Sequence, residues 1–375
     1  MTRVYLHIGA PKTGTTYLQE VLFRNRTLLA EHGLCYPGQT SAAHYAAVLD
    51  LRGLDFGGYD DPDAEGAWEA VASAARGWRG EAVVISHELL GAAKPPAIER
   101  ALDDLRGHEV HVVMTARDLG RQVPAVWQEM VKNNQVVDYP TYLQQLVDHE
   151  GRSARVFWRQ QDIVEVLGNW SEFVPGTQVH LATVPPAGAS STLLWERFCS
   201  VVGIVPAGYE TTVPRTNASL GLAEAELVRR INVALDGRLA WPQFAPTVKF
   251  WFAEQLLGGR RDTERVRVPD DLRSWFDDKA ASMVAEVRRR GYPVVGNLSD
   301  LTPVYGTDQP DAEPDPDAVV DAAAAALAEM LTDRAHGSQR MVQGVADRLR
   351  GPSRRRVLRM LPEPVKARLR RAAGH

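Results

Sequence analysis

The chain is poor in the features that would make its role obvious from composition. Only two of its 375 residues are cysteine, Cys35 and Cys199, and neither sits in a Cys-x-x-Cys pair or a metal-ligand spacing. A disulfide framework and a zinc site are therefore not expected. There is no excess of one charge: the formal net charge is −4, which argues against a nucleic-acid binder held by bulk electrostatics and leaves any anion site to local geometry. No apolar run approaches the roughly eighteen residues that a membrane span needs. The first apolar stretch begins almost at Met1 with no charged-then-apolar leader, so no signal peptide is expected and a cytoplasmic location is the default. No internal repeat is visible. The chain has 45% hydrophobic and 24% charged residues, ordinary values for a globular protein with a core of good size.

What is there begins at once. Arg3-Val4-Tyr5-Leu6-His7-Ile8 reads as a buried first strand. Gly9-Ala10-Pro11-Lys12-Thr13-Gly14-Thr15-Thr16 follows, and a helical pattern starts with Tyr17, Leu18, Val21 and Leu22. A strand, a Gly-containing turn with lysine and hydroxyls, and then a helix is a phosphate cradle, because loop N–H groups and the positive end of the helix face the same point. It is not a Walker A loop: that motif puts Lys directly after the second Gly with Ser/Thr next to hold Mg²⁺, whereas Lys12 comes two residues before Gly14 and Thr15-Thr16 follow it.

The spacing predicts helices over Thr15 to Glu31, Ala67 to Trp78, Pro95 to Leu105, Asp118 to Lys132, Tyr139 to Asp148, Asp162 to Phe173 and Thr192 to Val202. Strands are expected at Ala82 to Ser86, Glu109 to Thr115 and Gln178 to Val184. Cys35-Tyr36-Pro37-Gly38 reads as a turn. Gln39 to Asp63 reads as an irregular insertion with a short helix around Ala42 to Leu49; its His44 and Tyr45 either line an acceptor site or sit in a solvated loop. Cys199 is expected in the core. Alternating strands and helices predict an α/β fold with a doubly wound parallel sheet flanked by helices, P-loop NTPase-like, and ligands beyond the carboxyl ends of the strands. Those ends are Gly9 to Thr16, Ser86-His87-Glu88, Thr115 to Arg121 and Val184 to Pro186.

Beyond Pro206 the pattern is helical, over Leu222 to Leu235, Pro246 to Leu257 and Asp270 to Arg289. Trp241, Phe244, Phe250, Trp251 and Phe252 form an aromatic cluster suited to core packing or, alternatively, to stacking on a sugar or ring. The expected division is a domain over 1–300, helical from about 222; an acidic, Pro-containing linker over 301–317; and a helical appendage with a basic tail over 318–375. From Asp347 to His375 there are ten Arg/Lys against two acids. Such an amphipathic tail can touch an anionic membrane at its inner face, dock on the acidic segment before it, or stay solvated.

Pro11-Lys12-Thr13-Gly14-Thr15-Thr16-Tyr17-Leu18 resembles the 5′-phosphosulfate loop of the sulfotransferases that use 3′-phosphoadenylyl sulfate (PAPS). Val113-Met114-Thr115-Ala116-Arg117-Asp118 resembles the start of their second signature, which binds the 3′-phosphate. The chain departs from that signature at Ala125, where the family carries Ser, leaving Arg121 or Gln122 to compensate. Pro214-Arg215-Thr216-Asn217-Ala218-Ser219 lies where relatives bring a basic segment over the nucleotide, which makes Arg215 a further candidate.

The resemblance implies PAPS as sulfuryl donor with no metal. It implies Pro11, Lys12, Thr13, Gly14, Thr15 and Thr16 at the 5′-phosphate, Arg117 at the 3′-phosphate and Lys12 at the leaving oxygen. It also implies a base near the end of the second long strand: Glu88 by preference, His87 next. The acceptor would be a hydroxyl of a carbohydrate, glycolipid or small metabolite, and no nucleic acid is implied. The rival readings are a P-loop kinase using Mg-ATP and a binding module for a nucleotide or glycan that has lost catalysis.

Overall fold

The structure is a computed structural model. It describes residues 1–350 except 56–57, 214–218, 261–262 and 307–312, and, within 337–350, the backbone alone. The chain divides into two units with the boundary between Asp315 and Pro316. Among the described residues the second holds one helix, Pro316–Arg350. The basic residues from 351 onward and Arg215 lie outside the described residues, as does the middle of the expected linker.

The first unit is built on a six-stranded parallel sheet. The strands are β1 (Arg3–His7), β2 (Leu34–Cys35), β3 (Ala82–Ser86), β4 (Glu109–Ala116), β5 (Val179–Thr183) and β6 (Val294–Val295), in the order β2-β3-β1-β4-β5-β6. Chain order and sheet order differ because each parallel step needs a crossover, here mostly helical. The helices before β5 are α1 (Thr15–Arg24), α2 (Arg26–Glu31), α3 (Ala43–Arg52), α4 (Ala67–Gly77), α5 (Pro95–Asp104), α6 (Leu119–Lys132), α7 (Tyr139–Asp148), α8 (Gly151–Gln161) and α9 (Ile163–Ser171). After β5 come α10 (Leu193–Val202), α11 (Leu222–Leu235), α12 (Trp241–Phe244), a π-helix (Ala245–Leu257) and α13 (Asp270–Arg290).

Successive strand residues point to opposite faces. On one face Tyr5, Val84, Val113 and Ala182 pack with Leu18, Val21 and Leu22 of α1 and with Trp195, Phe198 and Cys199 of α10. Helix α9 packs against β4 and β5. The expected α/β fold with its parallel sheet is therefore what the chain adopts, and Cys199 is fully buried as expected.

Several local expectations are corrected. The first helix does not run unbroken to Glu31. It stops at Asn25, whose side-chain amide donates to the carbonyls of Val21 (2.8 Å) and Glu210 (3.0 Å) and accepts from the Glu210 N–H (2.9 Å). Cys35 belongs to an edge strand, not a turn. Helix α8 was not foreseen between α7 and α9. His44 is neither solvated nor free to line a site: it is buried, its Nε2 donates to the Pro37 carbonyl at 2.6 Å, and its Nδ1 accepts the Ser86 N–H at 2.9 Å. The aromatic cluster divides, with Phe244 buried at 1% exposure and Phe250 exposed at 48%.

Candidate functional site

The carboxyl ends of the three central strands, β3, β1 and β4, carry the groups of interest. Beyond β1 the chain stays in register briefly: Ile8 N–H donates to Val113 O (2.9 Å) and Ala10 N–H to Thr115 O (2.8 Å). It then turns through three residues in the left-handed region, Gly9 (φ 67°), Lys12 (φ 67°) and Gly14 (φ 87°). A lysine in that region costs about 1–2 kcal/mol, and such strain collects where the backbone has a task beyond folding. Glycine is needed at Gly9 for a second reason: a Cβ there would lie 2.6 Å from the Glu88 Cβ.

Helix α1 starts directly from Gly14 with no side-chain cap. Its first helical bond runs from Leu18 N–H to Gly14 O, so the N–H groups of Thr15, Thr16 and Tyr17 have no partner within the helix. This is the arrangement that receives an anion.

Beyond β4, Asp118 caps α6, accepting the Arg121 N–H at 3.0 Å and pairing with the Arg121 guanidinium. Arg121 also donates to Pro185 O at 3.2 Å, while its Nη2 is buried with no hydrogen-bond partner among the described residues. Arg117 donates to Gln122 Oε1 and to Arg121 O, each at 2.9 Å. Burial, with Arg121 close by, pushes the Arg117 guanidinium down to about 10. Asp118 pairs with Arg121, while Arg117 bonds to the neutral Gln122 Oε1 and Arg121 O, so two arginines beside one carboxylate leave a net positive charge.

Gln122 joins this cluster to the loop. Its amide nitrogen donates to Pro11 O and to Gln161 Oε1 (2.7 Å), while its oxygen takes the Arg117 bond. Lys12, Thr15, Thr16, Arg117 and Arg121 are thus brought together beyond the carboxyl ends of β1 and β4.

Lys12 itself reaches along α6 to Glu129 Oε2 at 3.0 Å. The same carboxylate binds Lys132 (3.1 Å) and Lys249 (2.8 Å), and Lys132 also binds Glu254 (3.1 Å). Burial lowers the Lys12 ammonium below its ordinary value, against the opposing pull of Glu129. Burial would raise Glu129, yet Lys12, Lys132 and Lys249 outweigh it and hold the carboxyl far below the usual range. This cluster was missed in the sequence. Glu129 and Lys132 share a helix face, but Lys249 comes from the π-helix some 120 positions away, and no local pattern announces it.

Beyond β3, His87 and Glu88 are half-buried beside the loop. His87 Nδ1 accepts the Leu89 N–H at 3.2 Å, so in the neutral ring the proton sits on Nε2. Burial pushes His87 below its ordinary value. Burial alone would raise Glu88, but His87 and hydrogen bonds from the backbone, Gln19 and Thr15 overcome it and keep the carboxyl ionised. Gln19 Nε2 lies 3.3 Å from Glu88 Oε2. The Tyr45 ring stands 5.5 Å from that of His87.

Among the described residues no group of three or more His, Cys, Asp or Glu side chains is placed to hold a metal ion, and no helix is long and apolar enough to cross a membrane.

No family model matches the chain, and no curated protein does. Among solved structures, a sulfotransferase from Alicyclobacillus acidocaldarius is similar at a TM-score of 0.38 with 15% identity, over 62% of this chain and 94% of that one. Similarity at that level speaks to neither the activity nor the ligand of the present chain.

Proposed function

We propose that the chain is a sulfotransferase that moves a sulfuryl group from PAPS to a hydroxyl of a carbohydrate, glycolipid or other small metabolite. The observation that carries this reading is the pair of hydrogen bonds at the Gln122 amide, which accepts from Arg117 and donates to the Pro11 carbonyl. Two cationic receptacles, one at a helix N-terminus and one at the next strand end, are thereby held as a single structure. A nucleotide with phosphates at both its 5′ and 3′ positions needs such a pair. The buried Nη2 of Arg121, without a partner among the described residues, fits the same ligand, since a guanidinium nitrogen of this kind is satisfied by a phosphate oxygen. Ala125 removes the family's serine hydroxyl, and Arg121 is the donor that replaces it.

In this reading the N–H groups of Thr13 to Thr16 and the Thr15 and Thr16 hydroxyls hold the 5′-phosphate, and Arg117 with Arg121 holds the 3′-phosphate. PAPS supplies the activated sulfuryl group. Lys12 leaves Glu129 to neutralise the charge that grows on the leaving oxygen, where electrostatic stabilisation contributes most. Glu88 takes the proton of the acceptor hydroxyl. The Leu89 N–H on His87 Nδ1 favours Glu88 over His87, because it leaves His87 with a protonated Nε2 and no free lone pair to offer. Arg215 would add a further contact to the nucleotide. The basic tail would bring the enzyme to an anionic membrane surface when the acceptor is a glycolipid.

The test is calorimetric titration with adenosine 3′,5′-bisphosphate, and with ATP in the absence and presence of Mg²⁺. Tight binding of the bisphosphate with weak, Mg²⁺-indifferent binding of ATP is expected. Preference for Mg-ATP overturns the reading in favour of a kinase.

A further inference from the structure

Beneath the loop lies a buried polar network that the proposed chemistry does not use. The parallel register pairs His7 with Ser86 on one side and with Val113 on the other. Thr115, two residues past Val113, therefore shares the His7 face. His7 Nδ1 is 2.7 Å from Ser86 Oγ, and its Nε2 is 3.3 Å from Thr115 Oγ1. Thr115 Oγ1 is 2.6 Å from Thr13 Oγ1, which lies 2.6 Å from Ala10 O. His7, Ser86 and Thr115 are fully buried and Thr13 is 1% exposed.

The direction of every bond follows from the last one. A carbonyl only accepts, so Thr13 donates to Ala10 O. Its one proton is then used, so Thr115 donates to Thr13. The Thr115 proton is used in turn, so His7 Nε2 must carry a proton and donate to Thr115. Burial pushes His7 down to about 4; the ring is neutral, its Nδ1 is bare, and Ser86 donates to it.

We propose that His7 is a positioning residue for the anion loop: as the neutral Nε2–H tautomer it fixes the sense of a four-bond chain from Ser86 to Ala10 O, and this chain holds the loop backbone in the turn that offers its N–H groups to a phosphate. Only the choice of probe ligand rests on the sulfotransferase reading.

The test uses the full-length chain with ¹⁵N-labelled histidine, free of ligand at neutral pH, the His7 signal being assigned by its loss in His7→Gln. The expected spectrum shows a protonated Nε2 and a bare Nδ1. Thr13→Val removes the acceptor of the Thr115 proton and should shift His7 toward a mixture of tautomers. Adenosine 3′,5′-bisphosphate is then titrated into the variants. His7→Gln, whose amide can still donate to Thr115, should bind within about threefold of the parent, whereas His7→Leu should bind about tenfold or more weakly. Ser86→Ala, which leaves Nε2–H in place, should bind like His7→Gln and serves if His7→Leu does not fold.

A His7 protonated on Nδ1 in the parent, or a tautomer unmoved by Thr13→Val, overturns the proposal. So does His7→Leu binding as tightly as the parent, or Ser86→Ala binding tenfold more weakly. If the parent itself does not bind the bisphosphate, the sulfotransferase reading falls, while the tautomer and its response to Thr13→Val still decide the role of His7.

Discussion

The loop after β1 has two polar neighbourhoods, and they are built on opposite principles. Below it, His7, Ser86, Thr13 and Thr115 are buried, neutral and hydrogen-bonded in series. Beside it, Lys12, Glu129, Lys132 and Lys249 are charged, and Lys12 and Glu129 keep about a fifth to a quarter of their side-chain surface exposed. Neutral groups tolerate burial once each donor has its acceptor, whereas a buried charge needs an opposite charge beside it, as Lys132, 2% exposed, has in Glu129 and Glu254. The division of labour follows: the interior fixes the shape of the loop, and the rim keeps charges that a ligand can recruit. Glu88, on the other rim, belongs with the charged group in this respect.

Breaking the charged side at Lys12 should have the largest consequence. Lys12→Ala is expected to lower turnover by on the order of 10³-fold, measured as release of adenosine 3′,5′-bisphosphate from PAPS with an acceptor present, with the fold intact by circular dichroism. Retention of more than a tenth of the parent rate would remove Lys12 from the chemistry.

Glu88→Gln comes next. It should reduce turnover by about 10²-fold or more while bisphosphate affinity stays within about twofold, because the proton acceptor is lost and the phosphate contacts are not. Equal activity in parent and variant would assign the base elsewhere.

The smallest effect sharpens the contrast. Glu129→Gln removes the counter-ion shared by three lysines. It should tighten bisphosphate binding by about two- to fivefold and destabilise the fold by about 1–3 kcal/mol, read by denaturant titration. The sign with pH is fixed: the Glu129 carboxyl is held below its ordinary value. Its contribution is therefore present above about pH 4.3 and is lost as pH falls toward the folded value. The acid limb of parent stability should flatten in Glu129→Gln; an unchanged limb would mean that the lysines do not draw stability from this carboxylate.

Much of this arrangement was readable in the sequence, for a local reason. The loop from Gly9 to Thr16 and the Arg117-Asp118 step are contiguous, and a strand followed by a Gly-containing turn and a helix is a signal of short range. The four longer strands were legible because each has at least five residues of β-branched or apolar pattern. Strands β2 and β6, two residues each, offer no period to detect. Helix α8 was hidden by its arginines and glutamines, although Ala154, Phe157, Trp158 and Gln161 are buried at helical spacing. The π-helix reads as an ordinary helix, since residue preferences do not separate the two. Lys249 and His44 were beyond reach because what they touch is set by tertiary packing: Glu129 for the first, the Ser86 N–H for the second.

The shortness of those two outer strands has a further consequence. A sheet whose longer strands lay at its rim would present a row of unpaired N–H and C=O groups, a template on which a second chain could extend the ladder. Here β2 closes one side and β6 the other, each pairing through only two residues. A newcomer would find two residues of backbone to bond with and then a helix or turn in its path. The strands that carry the loop, Arg117 and Glu88 all lie inside that fence, so the edge most exposed to faulty association is the one with least to offer it.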